Sequence, residues 1–250
     1  MGNHLEWVYA RYSNPGLIFL AEKKGLDFDW VIEAGCHDGS DTINFLKLPK
    51  VKTVFAFEPD DEAANNAEIR FSNYFGRVQL KRIALMDQPG YVRMDSPTGT
   101  LGDGSTIFRR LDDFQTTDGQ SAKLLKCSTL DLEIPELNSN GLMWLDVEGS
   151  ANLVLKGAER VLRSVILLQV EVNTHSSKHI ESNFWKVNKI MRSASFLILY
   201  FPLHPGYFGD VIYIKSSELN PFEKLRSYLL QIVGFFVHRI IYPILNKPRD

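Results

Sequence analysis

Four carboxylates and two glycines at the ends of apolar runs carry the chemistry this sequence offers. Glu33 ends the run Val31-Ile32-Glu33-Ala34 and opens a loop, Gly35-Cys36-His37-Asp38-Gly39-Ser40. Glu58 ends Phe55-Ala56-Phe57 and is followed by Pro59, while Asp146 and Glu148 end Met143-Trp144-Leu145. A carboxylate at a strand end, beyond a glycine-bent first loop, accepts nucleoside ribose hydroxyls in doubly wound sheets. A pyrophosphate loop needs Gly-x-Gly-x-x-Gly, so that bare amides reach the phosphates at a helix N-terminus. Here Glu33 and Asp38 occupy the first and third glycine places, and Asp41 follows. Three acids repel a pyrophosphate and attract a ligand that carries an ammonium and a sulfonium. S-adenosylmethionine fits that description. A nicotinamide-dependent oxidoreductase on a similar sheet is the disfavoured alternative, for the same electrostatic reason.

Each residue then has an expected role. Gly35 and Gly39 let the backbone approach the ligand and turn into a helix. Glu33 holds the ligand ammonium, directly or through water, and His37 serves the cofactor loop. Ser40 is the expected N-cap of the following helix. Glu58 takes the ribose, and Pro59 sets the chain direction beyond it. Strand alternation places Asp146 and Glu148 on one side. His175, in Asn173-Thr174-His175 after a long apolar run, is expected near the cleft, and an unperturbed imidazole is suited to proton transfer at physiological pH. Asp146, Glu148 and His175 are therefore the catalytic candidates. His179 and His204 are weaker ones. No third ligand accompanies Asp146 and Glu148, so no metal is expected.

Bulk properties narrow the classes. The chain has 250 residues, 44% hydrophobic, with a formal net charge of -2. That size suits one core domain with short additions. The charge gives no reason to expect a general polyanion binder, so nucleic acid is not an expected partner. The 2 cysteines make neither a disulfide framework nor a metal site. A reducing, cytoplasmic setting is expected, with no basic leader ahead of an apolar run.

The elements that must position these residues alternate strand and helix. Residues 1–28 read as a helical extension with a break at Asn14-Pro15-Gly16, and 29–215 as the core domain. Strands are expected over 29–34, 52–57, 78–84, 142–147 and 165–172, with a closing pair at 195–201 and 211–215. Helices are expected over 40–46, from Pro59-Asp60 onward, 151–163 and 179–193. Residues 88–125 read as an irregular insertion holding one short strand at 91–94. The pattern implies an α/β sheet, mostly parallel with one antiparallel edge strand and helices on both faces. Residues 216–250 read as an apolar helical tail, too short and too charged to span a membrane. Its expected uses are packing on the domain, homodimer formation, or peripheral contact with a membrane surface.

Taken together, the motifs resemble the FkbM-type family of S-adenosylmethionine-dependent methyltransferases. They are 31–40, Ala56-Phe57-Glu58-Pro59, Ser105-Thr106-Ile107, Cys127-Ser128-Thr129-Leu130-Asp131, 144–149, 154–158 and Glu171-Val172. The resemblance implies the seven-stranded class I methyltransferase sheet, a Rossmann-like fold, with the cofactor over 33–39 and its ribose on Glu58. It places Ile83-Ala84 beside the adenine. It also implies a small-molecule or glycan acceptor, methylated on a hydroxyl. The chain departs from the family by having Glu33 where Asp is usual, and Ala151 where a second acid is usual. That second departure leaves open a non-catalytic binding or scaffold module on a degenerate methyltransferase fold.

Overall fold

The computed structural model describes residues 14–95, 107–110, 122–147, 149–173, 183–201 and 208–236. In chain order its strands are β1 (Trp30–Ala34), β2 (Thr53–Phe57), β3 (Val78–Lys81), β4 (Ala84–Leu85), β5 (Gly90–Asp95), β6 (Ile107–Arg110), β7 (Ala122–Ser128), β8 (Gly141–Leu145), β9 (Val165–Asn173), β10 (Phe196–Tyr200) and β11 (Phe208–Lys215). Its helices are α1 (Asn14–Lys23), α2 (Thr42–Phe45), α3 (Asp61–Phe71), α4 (Leu130–Glu133), α5 (Ala151–Lys156), α6 (Phe184–Ser193) and α7 (Pro221–Phe236).

The main sheet has the order β10-β11-β9-β8-β1-β2-β3. β1, β8 and β9 lie in its interior and are largely apolar on both faces, as buried parallel strands tend to be, with Glu33 and Gln169 as buried polar exceptions. One face packs Ile32, Leu145, Leu168 and Tyr213 under α4, α5 and α6. The other packs Val31, Trp144, Leu167 and Ile212 under Leu17 and Ala21 of α1 and Phe45 of α2. Apart from β11, neighbouring strands from β9 to β3 run parallel. β11 is antiparallel to both β9 and β10. The single antiparallel strand therefore lies one place in from the edge, because the closing hairpin returns between β9 and its own first strand.

Several local expectations are corrected. The run at 78–84 is two strands: β3 ends at Lys81, and Ala84 pairs with Cys127 of β7 in a second sheet. The insertion is not irregular. β4, β7, β5 and β6 form a four-stranded sheet in that order, closed over Val92, Met94 and Leu125. Residues 96–106 and 111–121 lie outside the described residues. The helix at 151–163 stops at Lys156. Gly157 is its C-cap, and a Cβ there would stand 2.3 Å from the Met86 carbonyl, so the position requires glycine. The break at 14–16 is where α1 begins.

α7 lies against β10, and Lys24 at the end of α1 pairs with its Glu223 at 2.6 Å. Its outer side shows Phe222, Leu225, Leu229 and Ile232. Among the described residues no helix is long and apolar enough to cross a membrane.

Candidate active site at the carboxyl ends of the strands

The first loop is held by tight contacts at both glycines. Gly35 has φ 84° and Gly39 φ 76°, a region that favours glycine. A Cβ on Gly35 would stand 1.8 Å from the Asp146 carbonyl oxygen, and one on Gly39 2.4 Å from the Phe71 ring. Their missing side chains thus admit β8 and α3, and their positive φ values make the turn into the helix. His37 takes φ 48° between them. Its amide donates to Glu58 Oε2 at 2.9 Å, and the Asp60 amide donates to Glu58 Oε1 at 2.9 Å. Glu58 therefore ties the first loop to the second. Burial raises its pKa, opposed by those two amide bonds. Each oxygen keeps a lone pair for a further donor.

Glu33 differs from its expected role. It is 1% exposed and accepts a short hydrogen bond from the Thr42 hydroxyl beneath the loop. Burial pushes its pKa up to about 8, with Asp41, Asp146 and Asp38 adding to the rise and Thr42 opposing it. It faces α2, not an open cleft, so direct contact with a ligand ammonium is not what this arrangement offers. Asp38 is held by Arg70, which reaches its Oδ2 at 2.6 Å. Its bonds from Ser40 and Arg70 outweigh burial and lower its pKa. Ser40 is exposed and its amide donates to Asp38, while Asp41 occupies the N-cap place without a side-chain cap bond. The expected cap at Ser40 is thus corrected. Burial raises the pKa of Asp41, and Asp38 adds to it. Of the three acids read as a cation trap, one is neutralised by arginine and two are disposed toward the protonated state.

α3 begins cleanly because Asp60 accepts from the amides of Glu62 and Ala63 at 3.0 and 2.9 Å. Pro59 sits between Glu58 and this cap. Lys123 of β7 reaches Asp61 at 2.9 Å and joins the second sheet to the helix. Ala84 is 2% exposed with its side chain packed among Met86, Val92 and Cys127, so only its backbone is free to border an adenine. In the fourth motif, Asp131 accepts from the amides of Arg160 and Val161, both at 2.9 Å, which makes it a structural clamp.

Asp146 follows β8, and its amide donates to the Ala34 carbonyl at 3.0 Å. Its side chain reaches solvent, yet it sits in a recess where surrounding protein raises its pKa and Asp41 adds to the effect. Glu148, His175, His179 and His204 lie outside the described residues. Among the described residues no group of three or more His, Cys, Asp or Glu can hold a metal ion.

Two polar residues escaped the sequence reading. Gln169 of β9 is 2% exposed, and its Nε2 has no hydrogen-bond partner. Asp210 of β11 lies nearby. Burial pushes its pKa up to about 6; Gln169 opposes that rise and Asp146 adds to it. A glutamine inside the apolar run 165–172 was the available signal.

The sheet order and the loop–carboxylate cleft define a class I methyltransferase fold. The sequence profile of the Methyltransferase FkbM domain matches residues 33–198, and the chain belongs to that family. It is 28% identical over 200 residues to the 2-O-methyltransferase NoeI of Sinorhizobium fredii (strain NBRC 101917 / NGR234), covering 76% of this chain and 80% of that protein. It is also similar to the crystal structure of Methyltransferase FkbM from Methylobacillus flagellatus KT, at a TM-score of 0.50 and 15% identity. That match covers 75% of this chain and 44% of the other, so this chain spans less than half the length of that solved one.

Proposed function

We propose that the protein is an S-adenosylmethionine-dependent O-methyltransferase acting on a hydroxyl of a sugar, glycan or small metabolite. The observation that carries the reading is Glu58. Its carboxylate is 7% exposed and fixed by amides of two loops, with lone pairs left over for a ribose diol. Gly35, His37, Gly39 and Ser40 shape the loop over which the cofactor lies. Pro59 and the Ala84 backbone border it, and Glu33 acts from beneath by fixing α2. The donor set suits this cofactor: acids and a glycine-bent loop, without a pyrophosphate fingerprint. When bound, S-adenosylmethionine supplies an electrophilic methyl group.

The residues of the chain have two tasks in such a transfer, alignment and proton removal. Alignment of the acceptor oxygen alone is worth roughly 7–11 kcal/mol of barrier. Asp146, in its recess beside Gly35, orients the acceptor hydroxyl. Glu148 and His175 complete the catalytic set proposed from the sequence. The name of the relative, a 2-O-methyltransferase, supports oxygen as the accepting atom. An acidic strand-end row disfavours a polyphosphate backbone, which supports a small or glycan acceptor over nucleic acid.

The test is transfer from methyl-labelled S-adenosylmethionine into a whole-cell glycan extract. A methyl ether survives mild alkali, whereas a methyl ester does not. Alkali-stable label in carbohydrate is expected; label confined to protein or RNA contradicts the reading.

A further inference from the structure

Three neighbouring strands bring a second set of polar groups to the end of the sheet. Glu33 pairs in register with Trp144, Trp144 with Gln169, and Gln169 with Ile212. One pleat further toward the carboxyl ends, Asp146 follows the Leu145↔Val170 pair, and Glu171 pairs with Asp210. Asp146, Glu171 and Asp210 therefore form a row across β8, β9 and β11 on the face covered by α1. Gln169 lies directly beneath it. The row begins at Gly35, since Gly35 abuts the Asp146 carbonyl.

Gln169 is the odd member. A buried amide donor without a partner bears its desolvation cost uncompensated. Its amide lies against Asp210 and favours the ionised carboxylate, while Nε2 has no partner at hydrogen-bond distance and angle among the described residues. An oxygen arriving beside Asp210 supplies what Nε2 lacks. Asp210 is half-buried and remains accessible. Among the described residues the groups beside it are Gln169 and Glu171 of β9 and Asp146 beyond β8, with Tyr200 of β10 paired to nearby Ile212, and none of these is a cation.

We propose that Asp210 and Gln169 form the acceptor subsite, in which Asp210 takes the proton from the acceptor hydroxyl and Gln169 positions it. The inference rests on the methyltransferase reading above. As the acceptor oxygen bonds to the methyl carbon, the carbon–sulfur bond breaks with its electron pair staying on sulfur. The hydroxyl proton moves to Asp210 Oδ and then to solvent. The three carboxylates of this row, Asp146, Glu171 and Asp210, favour an uncharged polyol over phosphorylated or carboxylated acceptors. Burial holds the Asp210 carboxyl near the pH at which a base works.

The test uses the full chain in two arms. Calorimetry with S-adenosylhomocysteine is run on wild type, Asp210→Asn and Gln169→Leu. Labelled methyl transfer into the glycan extract is followed against pH. Asp210→Asn is expected to bind S-adenosylhomocysteine within about twofold of wild type while losing about 10²-fold or more in transfer. Gln169→Leu is expected to move the acid limb of the pH profile upward, which a merely structural loss does not do. The same upward move is expected in carbon NMR titration of the Asp210 carboxyl, with or without an acceptor. Transfer by Asp210→Asn within twofold of wild type overturns the inference. So does an Asp210 carboxyl that titrates near 4 and ignores Gln169→Leu. Wild type that fails to bind S-adenosylhomocysteine refutes the methyltransferase reading instead.

Discussion

Gly35 and Asp146 meet backbone to backbone: a Cβ on Gly35 would stand 1.8 Å from the Asp146 carbonyl oxygen, and the Asp146 amide donates to Ala34 at 3.0 Å. The first loop and the end of β8 are thus one unit. Gly35→Ala adds overpacking, typically 1–3 kcal/mol, to a left-handed backbone that costs a side chain roughly 1–2 kcal/mol. A loss of about 3 kcal/mol or more is expected in urea unfolding, together with loss of cofactor binding. A variant as stable as wild type would show that the contact is not close.

Glu33 makes stability depend on pH. Its folded pKa of about 8 lies above the ordinary value of 4.5. Below about pH 4.5 both folded and unfolded states carry the proton. Between 4.5 and 8 only the folded state keeps it, so its contribution is lost as pH rises through that window. Glu33→Gln removes the titration and preserves a partner for Thr42. Urea unfolding across pH 5 to 9 is expected to show a downward slope in wild type that Glu33→Gln flattens. Equal slopes contradict the assignment.

Glu58 joins the His37 and Asp60 loops and is proposed to hold the ribose. Glu58→Ala removes two charge-assisted bonds, each worth about 1.5–3 kcal/mol. Calorimetry is expected to show S-adenosylhomocysteine affinity at least about 10²-fold weaker, with helical circular dichroism retained. Unchanged affinity places the ribose elsewhere.

Asp131 belongs to a family motif, yet its carboxylate accepts from the backbone amides of Arg160 and Val161. Asp131→Ala is expected to cost about 2–3 kcal/mol of stability and leave S-adenosylhomocysteine affinity unchanged. Weakened affinity at full stability would give it a binding role.

The parts legible in the sequence were those written locally. Apolar runs ending in Glu33, Glu58 and Asp146 marked strand ends, and Pro59-Asp60 marked the start of α3. What depended on distant contact was hidden. The close approaches of Asp146 to Gly35 and of Phe71 to Gly39 join residues far apart in sequence. Gly157 caps α5 against the Met86 carbonyl, a contact no helical periodicity records. The second sheet escaped notice because β4 has two residues and β7 carries Lys123 and Lys126 in its pattern. The inset place of β11 is a property of strand order. Asp210 gains meaning only when β9 sets Gln169 beside it.

The most direct test of the central claim is calorimetric titration of the wild-type chain with S-adenosylhomocysteine, and separately with NAD. One site for S-adenosylhomocysteine in the micromolar range, about −8 kcal/mol, with no heat from NAD, is the expected result. Binding of NAD with none of S-adenosylhomocysteine would contradict the account.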